Sequence, residues 1–114
     1  MDAEELLEKY AAGQRNFQSA MLRGVDLKGA NLSGIDLSSA NLTAAELNDA
    51  NLTGATLNST NLTKASLTGA NLSGLVTSFS ANFTYSHLCG ADFSKANLNS
   101  ANFSNANLNE ANLS

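Results

Sequence analysis

A leucine or phenylalanine returns every five residues from Phe17 to Leu113, with one interruption, as in Ala30-Asn31-Leu32-Ser33-Gly34, Ala50-Asn51-Leu52-Thr53-Gly54 and Ala70-Asn71-Leu72-Ser73-Gly74. A period of five suits neither regular element. A helical step of about 100° carries residue i+5 off its face, and an odd spacing moves it to the opposite side of a strand. The chain must therefore turn once in every repeat. With the Leu/Phe taken as the centre, the small residue two places before it points the same way in extended backbone. The residue between them points out, and the two after the centre form a corner.

The centres run from Phe17 to Leu72 and again from Phe83 to Leu113, and no charge interrupts that column. Two places upstream stand mostly alanines, with Val25, Ile35, Thr60 and Ser86 among them, leaving room for large neighbours in a narrow interior. Gly24, Gly29, Gly34, Gly54, Gly69, Gly74 and Gly90 fall at corners, with Ser, Asn, Asp or Lys elsewhere, which is turn chemistry. Proline is absent, in keeping with backbone N–H groups being needed for bonds to the coils above and below. Such a chain is a solenoid, each coil burying its apolar side against its neighbours.

Over residues 15 to 114 these repeats resemble the pentapeptide-repeat family, whose consensus is often written A(D/N)LXX. The resemblance implies an all-β solenoid, a right-handed quadrilateral β-helix. Twenty residues to a coil would make about five coils, stacked to roughly 24 Å at the usual inter-strand spacing. Glu8-Lys9-Tyr10-Ala11-Ala12-Gly13-Gln14-Arg15-Asn16-Phe17 also resembles the head of several cyanobacterial members of that family, including ones linked to heterocyst development.

The expected organisation is a capping helix in 1–14 and a β-helix over 15–114, with a one-residue insertion near 77–81. Residues 2–12 read as the helix. Asp2 and Glu5 form a capping-box pattern, Leu6, Leu7, Tyr10 and Ala11 an apolar stripe, and Gly13 a stop. The helix would cover the first coil, because an open sheet end is an aggregation edge. Leu72 and Phe83 are eleven apart rather than ten; with Thr77 at the centre, the extra residue would bulge at a corner among Ser78 to Ala81 and leave Phe79 partly exposed. The repeats stay in phase to Leu113, giving a last-coil edge of Leu98, Phe103, Leu108 and Leu113. Two readings stand for that edge. Either two molecules pair through it as a homodimer, or it is tolerated, frayed or capped by something else.

Stacking every twentieth residue separates four outward faces. Asn31, Asn51, Asn71, Asp92 and Asn112 form one, and Met21, Asn41, Asn61, Asn82 and Asn102 a second; both read as amide ladders bonding along the stack. Asn16, Asp36, Thr56, Val76 and Asn97 form a third, and Asp26, Glu46, Ser66, His87 and Asn107 a fourth, where Asp49 and Glu110 at flanking corners join Asp26 and Glu46 in a modest acidic stripe. Phe79, Tyr85, His87 and Cys89 are the residues least explained by the repeat and the expected partner-binding patch.

The net charge of −4 divides into −3 before residue 15 and −1 in the repeats, and Arg15, Arg23, Lys28, Lys64 and Lys95 are scattered, so no nucleic-acid strip is expected. One cysteine and one histidine are too few for a metal site or a catalytic constellation; no enzyme, cofactor or metal is expected. An acidic start and the lack of a long apolar run predict a cytoplasmic protein without a membrane span. The Asn-x-Ser/Thr triplets are read as a by-product of the repeat. The leading expectation is a protein-interaction module, possible in a cyanobacterial regulatory role. The alternative implied by other family members is a DNA-mimicking binder of type II topoisomerase, or gyrase.

Overall fold

The N-terminal segment winds into a helix because its first and last turns are chemically closed. The structure, a computed structural model, describes residues 1–76 and 78–114. Helix α1 spans Ala3–Ala11, and the Asp2 carboxylate accepts the Glu5 N–H at 2.8 Å as its N-cap. Gly13, at φ +104°, ends it in a conformation that side chains resist. The inward stripe differs from the expected one. Leu6 is fully buried and Ala3 and Tyr10 pack beside it, while Leu7 and Ala11 face out. The spacing of Ala3, Leu6 and Tyr10 follows one helical face, whereas Leu7 and Ala11 lie a step round the barrel.

From residue 15 onward the chain coils as a four-sided stack. Parallel bridges join Asn16 to Asp36, Met21 to Asn41, Asp26 to Glu46 and Asn31 to Asn51; the first column runs on to Thr56 and the other three to Asn102, Asn107 and Asn112. The coils are 15–34, 35–54, 55–74, 75–95 and 96–114. The whole molecule measures 34 × 23 × 21 Å. Away from the register break, the sides are bonded to the next coil in one pattern. The centre N–H and the N–H two residues later donate upward, as in Leu32 to the Asn51 carbonyl at 2.8 Å and Gly34 to Thr53 at 2.9 Å. The outward residue above donates back, as in Asn51 to Ala30 at 2.9 Å.

Away from the register break, the corners are β-turns closed from the N–H three residues after the centre, as in Ile35 to Leu32 at 3.1 Å. Their third residue has φ near +60°, the type II arrangement. Glycine fills this place at Gly34, but Ser39, Ala44, Lys64 and Tyr85 adopt it as well. Among the described residues no β-branched side chain stands at a positive-φ position, in keeping with the steric cost of that conformation for branched side chains.

The centres and their small partners form one continuous core from Leu6 to Phe93. Buried hydroxyls inside it find backbone partners: Thr60 Oγ1 donates to the Leu37 carbonyl at 2.7 Å and Ser86 Oγ to that of Phe83 at 2.7 Å. In the upper coils phenylalanine takes over. The rings of Phe83 and Phe103 stack at 4.9 Å and 3°, with Phe93 edge-on to both.

Two sequence expectations change here. Thr77 as a centre lies outside the described residues, but it is Ser78 that is fully buried, and Ser78 Oγ accepts the Leu57 N–H at 3.2 Å. Val76 donates to Ala55 in the old register and Ser59 donates to Phe79 in the new one. By Ser78 the register has moved on by one residue: Ser78 is buried where a centre stands, and Ser80, at φ +60°, is the third residue of the corner that follows.

The amide ladders are the second change. The Asn oxygens bond forward within their own coil: Asn41 Oδ1 accepts the Thr43 N–H at 3.0 Å and its hydroxyl at 2.7 Å, and Asn51 Oδ1 accepts both from Thr53 at 3.0 and 2.6 Å. These are Asx turns, which satisfy the first corner N–H locally. Where the outward residue is Ser66 instead, Asn48 of the coil below supplies the oxygen, accepting the Thr68 N–H at 2.9 Å. Asn58 serves Phe79 in the same way at 2.8 Å.

Candidate interaction surfaces

The break in register brings large apolar side chains to the surface of the fourth coil. Val76 is 54% exposed, Phe79 47% and Tyr85 53%. Val76 lies on the third face, Phe79 at the next corner, and Tyr85 at the corner beyond the side carrying Asn82. Phe79 and Tyr85 thus flank one side of the same coil rather than touching. Tyr85 is held out by its backbone: at φ 59° it is the third residue of a turn, so its ring projects from an edge of the square.

His87 begins the next side. Its N–H donates to the Ala65 carbonyl at 2.9 Å and its own carbonyl accepts from Leu67 at 2.7 Å, which fixes the backbone and leaves the imidazole exposed. Cys89 at the following corner is half-buried and has a free thiol. Tyr85, His87 and Cys89 therefore form a strip along one side and its two corners.

Asp26 and Glu46 stand in the same column as His87, with Ser66 between. Lys28 Nζ lies 3.8 Å from Asp26 and 3.9 Å from Glu46, so the acidic stripe is partly neutralised by its own lysine. All three groups are about half exposed, which makes the network worth little energetically. Glu46 and His87 are two coils apart, roughly 10 Å at the usual spacing, so these candidates do not converge. Asp36, on the third face, is the more structured carboxylate. Burial pushes its pKa up, but bonds from Gln18 Nε2, the Ser38 hydroxyl and the Ser38 N–H outweigh that and hold it below the usual value.

Sequence reasoning did not single out Val76 or Met21, the latter 66% exposed. The available signal was their position: each is apolar at an outward place otherwise held by Asn, Asp, Ser or Thr. Among the described residues no group of three or more His, Cys, Asp or Glu is placed to hold a metal ion, no cavity encloses a small molecule, and no helix is long and apolar enough to cross a membrane.

The two ends of the stack differ. At the lower end α1 lies across the first coil with Leu6 as its plug, and three donors reach the exposed carbonyls of that coil. Gln14 Nε2 donates to Asn16 at 2.8 Å, the Met1 ammonium to Met21 at 3.4 Å and the Tyr10 hydroxyl to Ser33 at 2.6 Å. Arg15 stacks on the Tyr10 ring at 3.7 Å and donates to the Tyr10 carbonyl at 2.9 Å, locking the cap. At the upper end Leu98, Phe103 and Leu108 are half-buried and Leu113 is 57% exposed.

The family model for pentapeptide repeats matches eight copies, over residues 16–38, 35–74 and 79–114. Among solved structures, HetL from the cyanobacterium Nostoc sp. strain PCC 7120 is 36% identical, with a TM-score of 0.66 over 99% of this chain and 45% of HetL. Rfr23 from the cyanobacterium Cyanothece 51142 is 25% identical over 96% of this chain and 95% of its own, with a TM-score of 0.44. A thylakoid-lumen protein of Arabidopsis thaliana is 32% identical over 78% of this chain and 65% of its own, also at 0.44. The chain spans just under half the length of HetL. No curated protein sequence matches it. With the repeat matched over most of its length and the coil geometry in place, this chain belongs to the pentapeptide-repeat family and folds as its right-handed quadrilateral β-helix.

Proposed function

We propose that this chain is a non-enzymatic protein-interaction module, serving regulation in a cyanobacterium, and that it meets its partner through the fourth coil around Phe79 and Tyr85. The observation that carries the reading is the cluster of exposed apolar side chains at the one break in an otherwise regular surface: Val76, Phe79 and Tyr85. Aromatic side chains held on rigid backbone give contact area at low entropic cost, which is why they concentrate at binding hot spots. His87 and Cys89 border the same strip as polar rim. The likeness to HetL, a protein involved in the regulation of heterocyst differentiation, supports a regulatory role over a catalytic one. The lone histidine stands in the Asp26 column but is separated from Glu46 by Ser66, so no carboxylate orients it for acid–base work.

The test is affinity capture with the intact chain and with Phe79→Ser and Tyr85→Ser combined. Serine already occupies the same turn position as Tyr85 at Ser39, Ser59 and Ser80, so the double variant keeps its fold. Partners retained at a ratio above tenfold by the intact chain alone support the assignment. Identical recovery by both, with unchanged circular dichroism, refutes it.

A further inference from the structure

On the side that runs between Phe79 and Tyr85 the amide acceptors are spent and the amide donors are not. Asn82 stands at its outward place, directly above Asn61. Each Oδ1 accepts twice from its own turn, that of Asn61 from the N–H and hydroxyl of Thr63 and that of Asn82 from those of Thr84. A carbonyl oxygen has two lone pairs, so both are used. Among the described residues the two Nδ2 groups donate to nothing in the chain, and the doubly bonded oxygen holds each amide in one orientation.

The charge beside these amides has one sign. Lys64 sits in the corner directly beneath Tyr85, its N–H bonded to the Thr84 carbonyl at 2.9 Å, and both residues hold φ near +60°, so their side chains leave the same edge one coil apart. Lys95 stands at the corner above Gly74, bordering the side of Val76. Both lysines are exposed, and among the described residues neither forms an ion pair. The net charge of −4 lies wholly in residues 1–54; beyond them these two lysines balance Asp92 and Glu110. Asp92 is on the side opposite Asn82 and Glu110 at the corner opposite Phe79, so no carboxylate of the upper coils borders the patch.

Resting on the reading of the fourth coil as the contact surface, we propose that it takes an extended acidic segment of a partner protein, with apolar side chains on Phe79 and Tyr85 and carboxylates on the amides of Asn61 and Asn82 and the Lys64 ammonium. A carboxylate accepts at two oxygens and donates nothing, and its bond to an ammonium is charge-assisted. A basic segment would set donor against donor and bury both unpaired. The segment is extended because Val76, Phe79 and Tyr85 follow one another round a corner of the square, a path that a straight helix on one side does not take. It binds through side chains and not as an added strand, since the coil's own N–H groups are spent, Asn82 on Thr60 at 2.9 Å and Phe83 on Asn102 at 2.8 Å. The acidic lower coils repel such a segment and favour its arrival here.

The experiment selects binders to the immobilised full chain from a display library of short random peptides and measures their affinities for a set of variants. Enriched peptides are expected to combine Asp or Glu with Leu or Phe, to weaken as salt rises, and to lose at least tenfold on Phe79→Ser with Tyr85→Ser. Lys64→Glu should cost at least tenfold and Lys64→Arg less than twofold; Glu110 already holds the same turn conformation, so the Glu variant keeps its fold. Arg23→Glu, an equal change of net charge two coils and roughly 10 Å below, should cost less than twofold. Peptides that need Phe79 and Tyr85 but carry no excess of carboxylates, or that respond no more to Lys64→Glu than to Arg23→Glu, overturn the acidic segment and leave the contact surface standing. A library that yields no binder also overturns the segment, while the surface is still decided by affinity capture. Acidic peptides bound equally by the Phe79 and Tyr85 double variant overturn the surface and the segment together.

Discussion

Leu52 lies mid-column and buried, with Leu32 below and Leu72 above, and offers the sharpest test of how the stack is held together. Leu52→Ala removes three side-chain carbons, about 2.4 kcal/mol at about 0.8 per buried carbon. A cavity term adds to this, because the coil cannot close on the space. Its floor and ceiling are pinned by the bonds from Leu32 to Asn51 at 2.8 Å and from Leu52 to Asn71 at 2.7 Å, and collapse would stretch both. The expected total is about 3–5 kcal/mol, the upper part of the range for such truncations. Urea unfolding followed by circular dichroism measures it, with the midpoint and the m-value fitted separately.

Two controls on the same protein give the measurement its meaning. Thr53→Ala, at the adjacent exposed corner, removes one hydroxyl bond to Asn51 but leaves the N–H bond in place, and should stay within about 0.5 kcal/mol. Leu113→Ala should cost less than about 1 kcal/mol in this chain, since that side chain is more than half exposed. Losses at Leu52 and Thr53 that agree within error, or a Leu52 loss below about 1 kcal/mol, would refute the inward assignment. A fall in the m-value of Leu52→Ala alone would mean that the stack unzips coil by coil instead of unfolding as one unit.

The corners make a second prediction. Gly34 has φ +69° with open space where a Cβ would go, so Gly34→Ala should cost about 1 kcal/mol from backbone strain alone. Ala44, at φ 60°, already bears that strain, so Ala44→Gly should be neutral to stabilising by up to about 1 kcal/mol; both are read from thermal or urea midpoints. The Asp36 carboxylate makes a third. Its pKa is lowered in the folded chain, so the stabilisation it brings is present above its ordinary value of about 4 and is lost as pH falls through the folded value. Asp36→Asn keeps the turn acceptor, and the melting temperatures of variant and parent should differ at pH 7 and converge below about pH 4. A gap that persists undiminished at pH 2 would show that the charge is irrelevant.

The coil was legible in the sequence because its determinants are local: the centre, the small residue before it and the turn after it lie within five residues. Where the extra residue enters was not legible. An interval of eleven between Leu72 and Phe83 fits an insertion at several places, whereas the burial of Ser78 and the bonds of Val76, Leu57 and Phe79 show that the register has moved on by Ser78. The inward face of α1 was partly legible, since Leu6 and Leu7 are equally apolar and the choice rests on how the helix crosses the first coil. The candidate patch was legible only as departures from the repeat, because exposure of Phe79 and Tyr85 depends on register while the repeat says nothing of partners.

The Asn-x-Ser/Thr triplets carry the most instructive mismatch. As a by-product of the repeat they look meaningless, yet at Asn31, Asn41, Asn51, Asn61, Asn71, Asn82, Asn102 and Asn112 the Asn oxygen accepts the N–H two residues on. Without that acceptor, the first N–H of each corner would depend on water or on the coil below, as Thr68 depends on Asn48. The triplet is the turn, and amide stacking along the axis is not needed to explain why Asn recurs. At Glu46, Ser66 and His87 the outward residue supplies no such acceptor, while Asp26 and Asn107 of the same column do, accepting from Lys28 and Asn109. The same physics therefore divides the surface position by position. Where the outward residue closes the corner it is Asn or Asp, and where a neighbour takes that duty, as Asn48 does for Thr68, the place is open to other side chains.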